Sequence, residues 1–382
     1  MNDREPFIYI KQMYMKGFFD LEENCKEKII SEDYWDFIIP LYRDEELKEV
    51  NPENVCIQEM DFGYKSVSVD RRILLPLSFR EYWYSTIPKC YALLDMQPLD
   101  AAGIITLQNY PTLQLMGDGI MIGFLDTGID YQNRVFRNLD GTTRIVGIWD
   151  QTIQTGRTPQ GLYYGTEYTE EMINAALRSE DPLQIVPSVD TDGHGTFVAS
   201  AAAGGAEVGK RFLGAAPEAS IAMVKLKPAK NYLKEFFAIA QDAVCYQEND
   251  IMLGLRYLND LARKQGMPLV ICVALGTSFG GHNGDSLLAD ILDIYATVRN
   301  RCVVVGTGNE AARRHHYFNR FTDAQDMRTA EIRVGEGTQS FAVELWSTLP
   351  NIVMVSVTSP SGERTGMIPI RLGYLFDFLV SA

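Results

Sequence analysis

The sequence predicts an α/β fold: a parallel sheet carrying helices on both faces, preceded by a small α+β unit and followed by the start of a β-rich one. Two observations predict it. Between about residues 96 and 325, five apolar runs rich in Val and Ile alternate with helical stretches. Strands that are apolar throughout, joined by helices, form sheets buried on both sides. On either flank the texture changes, to short alternating segments before residue 95 and to a turn-punctuated β pattern after residue 326.

Three divisions follow: 1–95, 96–325 and 326–382. In the first, 18–34 and the run YWDFIIPLYRDEELKEV read as helical, and 55–60, 65–69 and 72–77 as short strands. The aromatic segment REYWYSTIPKCYALLD that closes it is a packing seam or a binding segment. In the second, strands are predicted over 120–126, 144–150, 221–226, 269–275 and 302–307, and helices over 194–203, 232–246, 251–264 and 286–299. Ligands of such sheets bind beyond the carboxyl ends of the strands, so chemistry belongs there. The third division, with AEIRVGEGTQSFAVELWS and the Ser361-Gly362 turn, opens an antiparallel β unit.

Composition narrows the class. At 382 residues the chain supports a large core and a smaller domain, and 46% hydrophobic with 22% charged residues excludes extensive disorder. A net charge of -15 argues against a nucleic-acid partner, because phosphates call for a basic surface. No run approaches the roughly 20 apolar residues of a membrane span, so no membrane partner is expected. The N-terminus MNDREPFIYIKQ has early acidic residues and no apolar core, unlike a Sec signal, so a cytoplasmic location is expected. Six cysteines without a C-x-x-C pair predict reduced, structural thiols rather than disulfides or zinc ligands.

Three residues sit where such a sheet does chemistry. Asp126 ends the run IMIGFLD and is followed by Thr127-Gly128. His194 lies in DTDGHGTFVASAAAGG at a helix start, with Gly193 and Gly195 letting backbone approach on both sides. It is one of only four histidines and the candidate base. Asn309, in CVVVGTGNEA, follows an apolar run; its amide can donate to an oxyanion, a contact worth about 3–4 kcal/mol in a transition state. Singly, each reads as a turn residue or a structural histidine. In series they read as a catalytic set.

These segments (D-T-G-I-D, H-G-T-x-V-A and G-N-E) resemble those of the subtilase family, the subtilisin-like serine peptidases of family S8, in the family's order over about residues 101–325. LGTSFGGHNGDS, GNEAARRHHY and NYPTLQLMGDGIMIGFLDTGIDY are similar to the Csp-type germination proteases of spore-forming bacteria. The resemblance implies a subtilisin-like fold and a serine endopeptidase, and no cofactor is expected. His194 would be the general base and acid, Asp126 its orienting partner, and Asn309 the oxyanion donor. It further implies a prodomain over 1–95 acting as intramolecular inhibitor, a catalytic domain over 96–325, and a jelly-roll-like insertion opening at 326. Backbone of Ala274, Leu275 and Gly276 would pair with an extended protein or peptide substrate. A spore-associated location is implied too.

The family's nucleophile motif G-T-S-x-A-x-P is absent, so the serine is expected beyond residue 382 and these residues alone are expected to be inactive. Gly276-Thr277-Ser278 imitates its first half, but precedes Asn309, continues as Phe-Gly-Gly and falls on the substrate strand. Phe197, where H-G-T-H-V-A has a second histidine, is expected to pack. No calcium site is expected: Asp130, Asp140, Asp190 and Asp192 read as solvated turn residues, and His282, His315 and His316 lack partners at metal spacing. Two rival classes stand beside this reading. An aspartic protease shares D-T-G but needs a mostly β fold and a partner aspartate. A subtilase-fold pseudoprotease would serve as a binding or regulatory module in germination.

Overall fold

Residues 25–40 and 51–93 fold around three antiparallel strands in a computed structural model that describes residues 25–40, 51–93, 104, 108, 115–207, 212–309, 313–338, 340–348, 351–369 and 378. After a one-and-a-half-turn helix α1 (Cys25–Ile30) come β1 (Tyr34–Pro40), β2 (Val55–Glu59) and β3 (Tyr64–Asp70), in the order β1-β3-β2. The YWDFIIP run is thus a strand, not the expected helix. Its Phe37, Ile38 and Ile39 are all buried, which an extended β-branched and aromatic segment achieves by packing both faces. The expected strand over 72–77 is instead a 3-10 turn (Arg71–Ile73) whose entry is capped by Asp70, followed by irregular chain. Residues 18–24 and 41–50 of the expected helices lie outside the described residues.

Cys25 and Cys56 form a disulfide across α1 and β2 with Cα atoms 5.1 Å apart, which corrects the expectation of reduced thiols for this pair. Their 31-residue separation carries no spacing signal; only the fold brings them together. Cys90, Cys245, Cys272 and Cys302 are free.

A short strand β4 (Cys90–Leu93) leads to the main sheet. This contains β5 (Met121–Asp126), β6 (Ile145–Asp150), β7 (Thr166–Thr169), helices α2 (Glu170–Arg178) and α3 (His194–Ala203), and β8 (Ser220–Lys225). Then follow α4 (Asn231–Phe236), β9 (Tyr246–Gln247), α5 (Glu248–Gln265), β10 (Leu269–Val273), β11 (Leu275–Gly276), α6 (Leu287–Thr297) and β12 (Arg301–Val305). The six-stranded order is β12-β10-β5-β8-β6-β7, parallel except for β7. One face is covered by α5 and α6 through Leu253, Leu258, Leu288 and Ile291. The other is covered by α2 and α3 through Ile173, Val198, Ala199 and Ala203. The expected α/β class is the observed one.

Differences lie in the short pieces. The helix expected over 232–246 stops at Phe236, because Ala238 takes a positive φ of 55° and the chain then turns into β9. After residue 326 the described residues hold one small antiparallel ladder, β13 (Met354–Val355) with β14 (Ile368–Pro369). Among the described residues, no helix is long and apolar enough to cross a membrane.

The three-stranded unit is joined to the main one by a buried polar cluster. Asp36 on β1 meets Lys230 (Nζ–Oδ2 2.9 Å), accepts from Gln247 Nε2 at 2.8 Å and from the Ser68 hydroxyl at 2.5 Å. Its N–H donates to the Tyr232 hydroxyl at 2.7 Å. A buried carboxylate so surrounded has its charge matched and its lone pairs filled.

Candidate active site

Asp126 is the last residue of β5, a strand held between β10 and β8, so its side chain emerges at the carboxyl edge of the sheet. The side chain is 1% exposed. Its Oδ1 accepts the Thr127 N–H at 2.7 Å and lies 2.7 Å from Nδ1 of His194, the first residue of α3. In a neutral ring this contact puts the proton on Nδ1 and the basic lone pair on Nε2.

Such close approach between a helix start and a strand end depends on Gly195. A Cβ there would lie 2.2 Å from the Gly128 carbonyl oxygen and 3.0 Å from Asp126 Cβ. Gly193 serves otherwise than expected: nothing lies within 4 Å of where its Cβ would be, but its φ is 89°, the left-handed turn into the helix.

Asp190 ties these pieces together. Oδ1 accepts from the Thr127 hydroxyl (2.8 Å) and the Gly193 N–H (2.9 Å), and Oδ2 from the Thr196 N–H (2.8 Å) and hydroxyl (2.7 Å). The Thr127 hydroxyl oxygen in turn accepts the Gly195 N–H at 2.9 Å. Burial works to raise the pKa of Asp190, but these hydrogen bonds together hold it below the ordinary carboxylate value. It is therefore no solvated turn residue. The signal was present: an acidic residue just ahead of a helix start whose N-cap, Gly193, has no side chain to cap with. Asp130, Asp140 and Asp192 are exposed turn residues. Phe197, expected to pack, is 51% exposed on the outer side of α3. Among the described residues no cluster of three His, Cys, Asp or Glu is arranged to hold a metal.

Asn309 is exposed, four residues past β12. Because β12, β10 and β5 run parallel, Asn309 leaves the sheet at the same carboxyl edge as Asp126. Ser278 is an exposed bend residue two positions past β11. His282 bonds the Gly280 carbonyl at 3.0 Å and its ring lies 4.7 Å from that of His316.

Beside this edge a short strand is inserted between two others. The strand β4 lies between β11 and β9, antiparallel to both: Leu93 pairs with Leu275, Ala92 with Gly276, Tyr91 with Tyr246 and Cys90 with Gln247. The ladder continues with the Glu248 N–H donating to the Lys89 carbonyl at 2.9 Å. Ala274 is buried just ahead of β11. The aromatic segment is both seam and strand: Tyr82 stacks on Phe37 with centroids 5.1 Å apart, and the residues after it supply β4.

The model of the Subtilase family, Peptidase S8, matches residues 117–364, well over half of the chain. The chain belongs to the subtilase family. Among solved structures this subtilase is similar to the Clostridium perfringens CspB protease, at 33% identity and a TM-score of 0.56, over 70% of this chain and 52% of that one. The chain thus spans about half the length of that protease, and its expected likeness to the Csp type is borne out. Comparison with curated proteins finds no match.

Proposed function

We propose that this subtilase is a serine endopeptidase whose triad is Asp126, His194 and a serine from sequence beyond residue 382. The observation that carries the proposal is the 2.7 Å contact between Asp126 Oδ1 and His194 Nδ1 at the carboxyl edge of the sheet. His194 Nε2 takes the serine proton and returns it to the leaving amine; Asp126 fixes the tautomer and stabilises the imidazolium. Asn309 donates to the oxyanion. Substrate lies as a strand against Leu275 and Gly276, with Ala274 beside it, in the place β4 occupies.

In the same proposal residues 1–95 are a prodomain, 96–325 the catalytic domain and 326–382 the opening of a jelly-roll-like insertion. The pairing of β4 with β11 and β9 supports the prodomain as intramolecular inhibitor, since it fills both edges a substrate would use. A role in spore germination rests on the Csp-type resemblance.

The test is labelling by a fluorophosphonate probe, together with peptide hydrolysis, in the chain extended through its serine segment. Labelling should occur and Asp126→Asn should lower turnover by roughly 10⁴-fold. An extended chain that binds peptide without labelling would make it a binding module instead.

A further inference from the structure

Glu248, the first residue of α5, is 0% exposed, and its carboxylate faces the strand β4. From its own unit it accepts the Leu288 N–H at the start of α6, to Oε1 at 3.3 Å. Among the described residues its other polar partners come from the segment of β4: the Tyr91 hydroxyl to Oε1 at 3.4 Å, the Lys89 N–H to Oε2 at 3.2 Å and the Lys89 ammonium 3.6 Å from Oε2. Lys89 is itself buried, 5% exposed, with its ammonium bonded to the Tyr84 carbonyl at 2.8 Å and 4.6 Å from the Tyr84 ring centroid. Burial pushes the Lys89 pKa down and the nearby Glu248 charge counters only part of this.

A helix N-terminus favours a negative charge at Glu248, yet a carboxylate deprived of water needs donors on both oxygens. With Lys89 and β4 gone, the Leu288 N–H is what remains of the donors named above. Any strand that replaces β4 and excludes water from this position must bring its own cation or hydroxyl, and an apolar replacement leaves the charge unmatched.

Resting on the protease reading, we infer that Glu248 is a specificity determinant that selects peptide strands carrying tyrosine at the position of Tyr91 and lysine two residues earlier. The alternation of a strand sends these two side chains to the same face, which is why one carboxylate serves both. The substrate class is thus a basic-aromatic segment, not an acidic one.

The first measurement uses the extended chain and fluorogenic hexapeptides. Lys-Ser-Tyr-Ala-Leu-Leu should exceed both Met-Ser-Tyr-Ala-Leu-Leu and Lys-Ser-Phe-Ala-Leu-Leu in kcat/KM by roughly tenfold, the usual weight of a hydrogen bond to a charge. Glu248→Gln should shrink the lysine preference while leaving more of the tyrosine preference. Equal rates for the three peptides would overturn the inference and leave the protease reading standing. Hydrolysis of none would sink the protease reading, and a second measurement then decides the inference. Amide hydrogen exchange of residues 90–93 in the 382-residue chain needs no catalysis. Glu248→Gln, Lys89→Met and Tyr91→Phe should each speed exchange there and not in β5 or β8, and Lys89→Met should add nothing in the Glu248→Gln background. Unchanged exchange in Glu248→Gln, or full additivity with Lys89→Met, would show that the carboxylate does not hold the strand.

Discussion

Gly195 sets how near the helix bearing His194 comes to Asp126, and the space it leaves is smaller than a methyl group. Gly195→Ala should therefore push α3 away, costing about 1–3 kcal/mol of stability by overpacking. A shift near 1 Å costs on the order of 10²-fold in rate, so hydrolysis by the extended chain should fall far more than its melting temperature suggests. Unchanged kcat would show that the approach is set elsewhere. Asp190 makes a different prediction. Its folded pKa is held below the ordinary 3.8, so its contribution to stability is complete above that value and disappears as pH falls through the lower, folded one. The stability gap between the wild type and Asp190→Asn should be constant near neutrality and shrink below pH 3.8. A gap as wide at pH 2 as at pH 7 would contradict this. Asp126 and His194 were legible because strand end, glycine bracket and order all mark them. Asp190 was legible only by its place ahead of the Gly193 cap, since its importance lies in four bonds to three residues that only the folded turn assembles.

At the scale of elements, the parallel strands and the helices α3, α5 and α6 were readable because each is long and uniformly patterned. The misread pieces are short and owe their form to partners far along the chain. β4, β9 and β11 have four, two and two residues, and exist only because Cys90–Leu93 finds edges more than 150 positions away. β1 looked helical until β3 and the Asp36 cluster held it extended. That cluster gives a further prediction. Lys230→Met leaves a buried carboxylate without its cation and should cost about 3–5 kcal/mol in urea unfolding, whereas pairing it with Asp36→Asn should cost clearly less. A double variant no better than the single would show that the hydrogen bonds, not the charge pair, join the two units.

For the whole molecule, the edge strand β12 of the main sheet shows exposed apolar side chains among the described residues. Val304 and Val305 on β12 are 50% and 56% exposed, and Phe341, Leu345 and Ile352 beyond them are exposed as well. An apolar strand edge of this kind invites pairing, so the 382-residue chain should self-associate at micromolar concentration, and Val304→Lys should reduce this in sedimentation. A monomer at all concentrations would refute it. In the fluorophosphonate assay that chain should stay unlabelled, with or without Ser278→Ala; labelling abolished by Ser278→Ala would make Ser278 the nucleophile.

The position of β4 has a kinetic corollary. The strand's first half, Cys90 and Tyr91, is held on one edge by β9, and its second half, Ala92 and Leu93, on the other edge by β11. A one-residue slip would turn Tyr91 away from Glu248 and present Cys90 or Ala92 in its place, because side chains alternate. An occupant that keeps the same face toward Glu248 shifts only in two-residue strides, and each stride disturbs the pairing on both edges. Departure is accordingly a peeling from one end, and under the proposed protease function the register set when the strand first zips in decides which bond rests beside His194.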